Sequence, residues 1–205
     1  MNLKSRLSQK NETIRMLHTD PNLMHSMSEQ IVSWFPKIPK EYVIVCVGTD
    51  RSTGDALGPL TGTYLMDKKL KHMTVYGTLH DPVHATNLED YLSLINKQHK
   101  NAFIIAIDAC LGKTSSVGQI IACEGALKPG AALNKPLPPV GDIHITGVVN
   151  ISGFMEYSVL QNTRLSIVLE MAKKIANVID HIDQQLTASY VTPAVLSQRA
   201  RKEPI

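Results

Sequence analysis

Short apolar runs alternate with amphipathic stretches along this chain, and the alternation sets its elements. Residues 42–47 and 103–107 are nearly continuous Val, Ile and other apolar residues. Such runs read as strands buried on both faces, the pattern of a parallel sheet. The rest of the pattern predicts a short helix over 24–35 that stops before Pro36, and a strand over 42–47. A helix follows over 57–71, with Leu57, Leu60, Tyr64, Leu65 and Leu70 along one face and Pro59 in its first turn. Next come a strand over 74–77 and a helix from the capping-box sequence Thr86-Asn87-Leu88-Glu89 to about Lys97. Strands are predicted over 102–108, 118–123 and 143–149. The longest helix, over 156–185, carries Leu160, Leu165, Val168, Leu169, Ala172, Ile175, Ala176 and Ile179 on its buried side.

The link between residues 108 and 118 is too short for a crossover helix, so those two strands are expected to pair antiparallel. Residues 125–142 are rich in Pro, Gly and Ala without any period, and read as a long loop facing the site. The order of elements predicts the α/β class: a three-layer α/β/α sandwich around a mostly parallel sheet. Residues 1–40 read as a lead-in with a short helix, 41–186 as the domain, and 187–205 as a polar tail.

Composition narrows the function classes. The chain has 205 residues, 43% hydrophobic and 19% charged, with a net charge of +3. That charge is too small to argue for a nucleic-acid partner, and Lys37, Lys40, Arg199, Arg201 and Lys202 lie toward the ends rather than in a stripe. No apolar stretch reaches the length of a membrane span, and the first 25 residues lack the apolar core of a signal peptide. A cytoplasmic location is expected. Cys46, Cys110 and Cys123 show no Cys-x-x-Cys spacing, so they read as small buried hydrophobes in a reducing compartment. Cys110, two residues after Asp108, is a minor candidate nucleophile.

The candidate chemistry lies in two aspartates. Asp55 sits in Gly54-Asp55-Ala56-Leu57-Gly58-Pro59 after the first apolar strand, and Asp108 closes Phe103-Ile104-Ile105-Ala106-Ile107. Both fall at strand carboxyl ends, where open parallel sheets collect their chemistry. Asp55 also stands where a helix N-cap would, a competing structural role. Asp108 has less excuse, because a carboxylate at the end of an apolar strand is costly unless paired or working. Two carboxylates on one crevice point to acid–base hydrolysis, one activating water and the other, protonated, polarising a carbonyl.

The loop after the first strand lacks the Gly-Lys-Ser/Thr ending of a phosphate loop and the spacing of a dinucleotide fingerprint. No Gly-x-Ser-x-Gly elbow supports a serine hydrolase. His80, Asp81 and His84, with Asp55, Asp108, Glu124 and His144, would make a mixed metal site if they converged. For each histidine singly, an ordinary loop or strand role is the stronger reading. Asp50, His84 and His144 are the expected substrate-binding residues, His84 being held by the helix that starts near Thr86. No cofactor or metal is expected.

The Gly-Asp-Ala-Leu-Gly-Pro segment at 54–59, with Ile107-Asp108-Ala109, resembles the germination protease of spore-forming bacteria. The segments at 141–150, 153–157 and 160–164 extend the likeness to the YyaC-type sporulation proteins, which share that protease-like domain. The resemblance covers about residues 42–185. It implies the fold of the hydrogenase-maturation peptidases, with Asp55 and Asp108 in the positions of the germination protease's aspartate pair. In the maturation peptidases the first position is a nickel-binding Glu, accompanied by an Asp and a His; here Asp55 and Asp108 occupy the first two. The third is open between His84 and His144. The implied function is an endopeptidase of the forespore or spore core, acting on small acid-soluble spore proteins or another sporulation protein. A non-catalytic protein that binds a partner through the same fold, and a metal-dependent maturation-type peptidase, are the alternatives. The implied partner is a protein substrate, with no direct nucleic-acid or membrane partner and with self-association left open.

Overall fold

The computed structural model describes residues 11–38, 40–130 and 137–199, with side chains as far as residue 188. Its centre is a sheet of six strands in the order β1-β5-β6-β4-β2-β3. These are β1 Thr13–Leu17, β2 Tyr42–Cys46, β3 Met73–Tyr76, β4 Phe103–Gly112, β5 Gln119–Glu124 and β6 Ile143–Ile151. β3, β2, β4 and β6 run parallel, while β5 is antiparallel to both β6 and β1. All five residues of β2 are buried, because helices or loops cover both of its faces.

One layer holds α1 Leu23–Ser33, α2 Leu57–Lys68 and α5 Leu165–Arg199. Tyr42, Ile44, Cys46, Ile105, Ile107 and Ile145 pack against Met27, Leu57, Leu65, Met171 and Ile175 from this side. The opposite layer contains α3 Leu88–Gln98 and the segment around Leu127 and Val140. There Val43, Val45 and Ala106 meet Val83, Leu88 and Ile95. The strict two-residue alternation of β2 between the two cores makes the architecture the expected three-layer α/β/α sandwich. Among the described residues no helix is long and apolar enough to cross a membrane.

Several expectations need correction. The strand before Asp108 does not stop there but continues to Gly112. β4 and β5 do not pair with each other, since β6 lies between them. Residues 13–17 form an edge strand on β5, so residues 1–40 supply more than a helix. The long helix is interrupted at 162–164, giving α4 Glu156–Gln161 and then α5. Leu165, just after that break, is exposed rather than buried. Helix geometry continues past Thr187 to Arg199. The capping box at Thr86 does not form either: Asn87 is the N-cap of α3, and the Thr86 hydroxyl pairs instead with His84 Nδ1 at 2.9 Å.

A buried carboxylate ties α5 to the approach to β3. Asp183 accepts the backbone N–H groups of Lys71 and His72, each at 2.8 Å, and is almost completely enclosed. Asp183→Ala leaves two donors without their acceptor and is expected to cost about 2–4 kcal/mol. Chemical denaturation checks this; a loss below about 0.5 kcal/mol would mean that water replaces the carboxylate.

Candidate active site

The site exists because β2 stops short of its neighbour. Pairing between β2 and β4 ends at Cys46 and Ile107, followed by one hydrogen bond from Val47 N–H to Ile107 O at 2.7 Å. The chain then swings away from β4. Val47 bridges Val83, and Gly48 N–H donates to Val83 O at 2.8 Å. From β2 the connection leads to β3 on one side, and from β4 it leads to β5 and β6 on the other. Strand order reverses at this point, and a crevice opens beyond the carboxyl ends. Its cavity is about 470 Å³. The walls come from residues 47–51 and Asp55, from Pro82 and 84–86, from 108–111, from 127–130 with Leu137, and from Glu156, Tyr157 and Leu160.

Asp55 is positioned by a loop folded back on itself. Thr49 N–H donates to Asp55 O at 3.2 Å, Ala56 N–H to Ser52 O at 3.0 Å, and Gly54 N–H to Leu160 O at 2.8 Å. Only glycine permits this path at two points. Gly48 has φ +149°, and a Cβ there would lie 2.0 Å from Asp55 O; at Gly58 it would lie 2.0 Å from Val47 O. α2 begins with Ala56 as N-cap and no side-chain cap bond. Helix capping, the competing role for Asp55, is therefore not what this carboxylate does.

Asp108 is the first residue of β4 beyond the last β2 pair. Its Oδ1 accepts the N–H of Ala109 at 2.7 Å. Burial pushes its carboxyl up to about 8, the Ala109 hydrogen bond holds it back, and the negative charge of Asp55 adds to the rise. Burial also raises Asp55, tempered by the nearby Ser52 hydroxyl. That hydroxyl is itself buried and closes no hydrogen bond in this conformation. Asp108 thus feels the charge of Asp55 in the shared crevice and carries the larger shift.

This shift makes stability depend on pH. Folded Asp108 keeps its proton to about 8, whereas in the unfolded chain it is lost near 4. The folded state therefore binds the extra proton between those values. The stabilisation is complete below about pH 4 and is lost as pH rises through about 8. Asp108→Asn, neutral at every pH, is expected to be more stable than the parent by about 5 kcal/mol near pH 9 and nearly equal to it near pH 4. Denaturation at both pH values checks this, and parallel curves would show that Asp108 titrates normally.

Asp50, His84, Asp55 and Asp108 all line the crevice. His84 is fixed by its N–H on Asn87 Oδ1 at 2.8 Å and by its ring Nδ1 at Thr86. His144 is not part of this wall. It sits in β6 between Ala106 and Cys123, and its Nδ1 pairs with Gly125 O at 2.8 Å. His80 and Asp81 also lie outside it. Glu124 ends a strand of opposite direction and bonds Glu12 N–H at 3.2 Å, away from the site. Among the described residues no three His, Cys, Asp or Glu side chains converge as a metal site requires. The donor set of the maturation peptidases is therefore not assembled by these side chains. Cys110 lines the crevice, but burial raises its thiol away from the nucleophilic thiolate.

Arg51 and Lys128 in the wall were not singled out by the sequence, and Tyr157, within the likeness segment 153–157, was given no role there. The cysteines are all unpaired.

Comparison with known proteins places this geometry in context. A family model described as a protein of unknown function (DUF1256) matches residues 15–178. The uncharacterized protein YyaC of Bacillus subtilis (strain 168) is 49% identical over 187 residues, which is 90% of this chain and 91% of that protein. Among solved structures, the [NiFe] hydrogenase maturation protease HycI from Thermococcus kodakarensis KOD1 matches with a TM-score of 0.51 at 19% identity. The match covers 71% of this chain and 93% of that one. At that identity the likeness concerns the fold.

Proposed function

The chain belongs to the DUF1256 family, and for it we propose hydrolysis of a peptide bond by water held between Asp55 and Asp108. The observation that carries this reading is the shared crevice lined by both aspartates, in which burial raises the Asp108 carboxyl, to about 8, further than that of Asp55. Two carboxyls with separated proton affinities are what acid–base hydrolysis needs. Asp55, as carboxylate, takes a proton from water while the water oxygen bonds to the carbonyl carbon. Asp108, as acid, hydrogen-bonds the carbonyl oxygen as negative charge develops on it. Asp55 then passes its proton to the amide nitrogen, the C–N bond breaks, and one water is consumed. The peptidase-like fold of the HycI neighbour is consistent with this chemistry.

The motif likeness to the germination protease supports a small acid-soluble spore protein, or another sporulation protein, as substrate, and the forespore or spore core as location. Asp50 and His84 would contact that substrate from the wall they share with the aspartates. Incubation with small acid-soluble spore proteins, followed by mass spectrometry, tests the reading. Fragments are expected from the parent. Intact substrate that nonetheless remains bound would identify a partner-binding protein instead.

The pH dependence of the rate has a defined sign. Catalysis requires Asp108 protonated, so kcat/KM is expected to fall as pH rises through about 8. A rate that keeps rising to about pH 10 would remove Asp108 from the acid role.

A further inference from the structure

The same early stop of β2 that opens the crevice leaves part of β4 without a neighbour. On its other side β4 pairs with β6 from Ile105 to Gly112, with one irregularity between Cys110 and Leu111, where the extra residue lies in β6 between Val148 and Asn150. On the β2 side, pairing ends at Ile107. In a strand the backbone groups of successive residues point alternately to the two edges. Ile107 O receives Val47 N–H, while Gly112 O receives Ser152 N–H from the β6 side. Odd-numbered residues of this stretch therefore turn their N–H and C=O toward the crevice, which Ala109 and Leu111 line. Ala109 N–H is occupied by Asp108 Oδ1. Ala109 C=O and Leu111 N–H face the cavity, and among the described residues neither has a partner on that side.

We propose that the polypeptide substrate binds as an added strand along this edge of β4, pairing its own backbone with Ala109 C=O and Leu111 N–H. An acceptor and a donor two residues apart on one edge are what a single residue of a neighbouring parallel strand satisfies at once. The occupant is an extended polypeptide for that reason: its N–H and C=O alternate with the same two-residue period. The edge leads directly from Asp108, so a chain seated there passes the carboxyl pair. Apolar walls at Leu127 and Tyr157 receive alternate side chains. Phe154 and Met155, three and two residues before Tyr157, are largely exposed. The inference rests on the peptidase reading and specifies how its substrate lies.

The test uses the full chain carrying Asp55→Asn and a random decapeptide library. Peptides retained by this variant are resynthesised with one backbone N-methyl group at each position in turn. Strand addition predicts that methylation at alternate positions weakens binding about tenfold or more, while the intervening positions change it less than about twofold. Amide exchange of Leu111 is expected to slow at least about tenfold on peptide binding. Retained peptides without the alternation, or unchanged exchange at Leu111, would overturn the strand geometry. The peptidase reading would still stand if the parent cleaved those peptides. Failure both to retain and to cleave any peptide would remove the two together. Protection of Leu111 without peptide, growing with protein concentration, would assign the edge to a second copy of the chain.

Discussion

Asp108→Asn is expected to lower kcat/KM for peptide hydrolysis about a thousandfold while the protein remains folded. Asn keeps the shape of the side chain and an oxygen for Ala109 N–H, so the local hydrogen bond persists. What disappears is the acidic O–H that hydrogen-bonds the developing oxyanion, a contribution of about 10²–10⁴ in rate. Asp55→Asn should lose a similar factor for the opposite reason, since a neutral amide cannot accept the proton of water. Because the two act together in one addition step, the double variant should be little slower than either single one. Circular dichroism with a rate measurement on each protein decides the matter. Either variant cleaving at the parent rate would end the assignment of that residue.

Gly58→Ala is expected to be among the most damaging single-methyl additions. Its new carbon would lie 2.0 Å from Val47 O, a rigid backbone atom of the strand that leads into the site. Either α2 or the end of β2 must move, at about 3 kcal/mol or more. For a chain of this length that corresponds to a Tm lower by roughly 6–12 °C. Hydrolysis should fall too, because the Asp55 loop is hung between these two segments. Gly153→Ala is the matched control, since a Cβ there meets nothing within 4 Å. Equal melting temperatures for the two variants would show that the β2–α2 junction is loosely packed.

Much of this was legible before any coordinates. β2, β4 and β6 announce themselves because burial on both faces requires continuous Val and Ile. The Asp55–Asp108 juxtaposition follows from the same rule, once both are placed at carboxyl ends of parallel strands. Other parts were not legible for physical reasons. β1 is a five-residue edge strand whose exposed and half-buried positions alternate, and Thr-Ile-Arg-Met-Leu is too short and too little buried to stand out. The partner of β5 could not be read from loop length, because a short link fixes direction but not adjacency. His144 was balanced between strand and site; its bond to Gly125 O places it in the strand. Nothing local marked Arg51 or Lys128, which reach the crevice only through loop packing.

The pairing of β1 with β5 joins Thr13 to Cys123, 110 residues apart. During synthesis, residues 13–17 must therefore wait for their partner for roughly 5–20 s at ordinary elongation rates. Once made, β5 offers a bare hydrogen-bonding edge until that early segment returns, and such an edge is open to other nascent chains. Sealing it closes the longest loop in the sheet and is expected to be a late folding event. A chain lacking its first seventeen residues would keep the crevice residues yet carry that edge permanently, and its recovery in soluble form should fall with expression level.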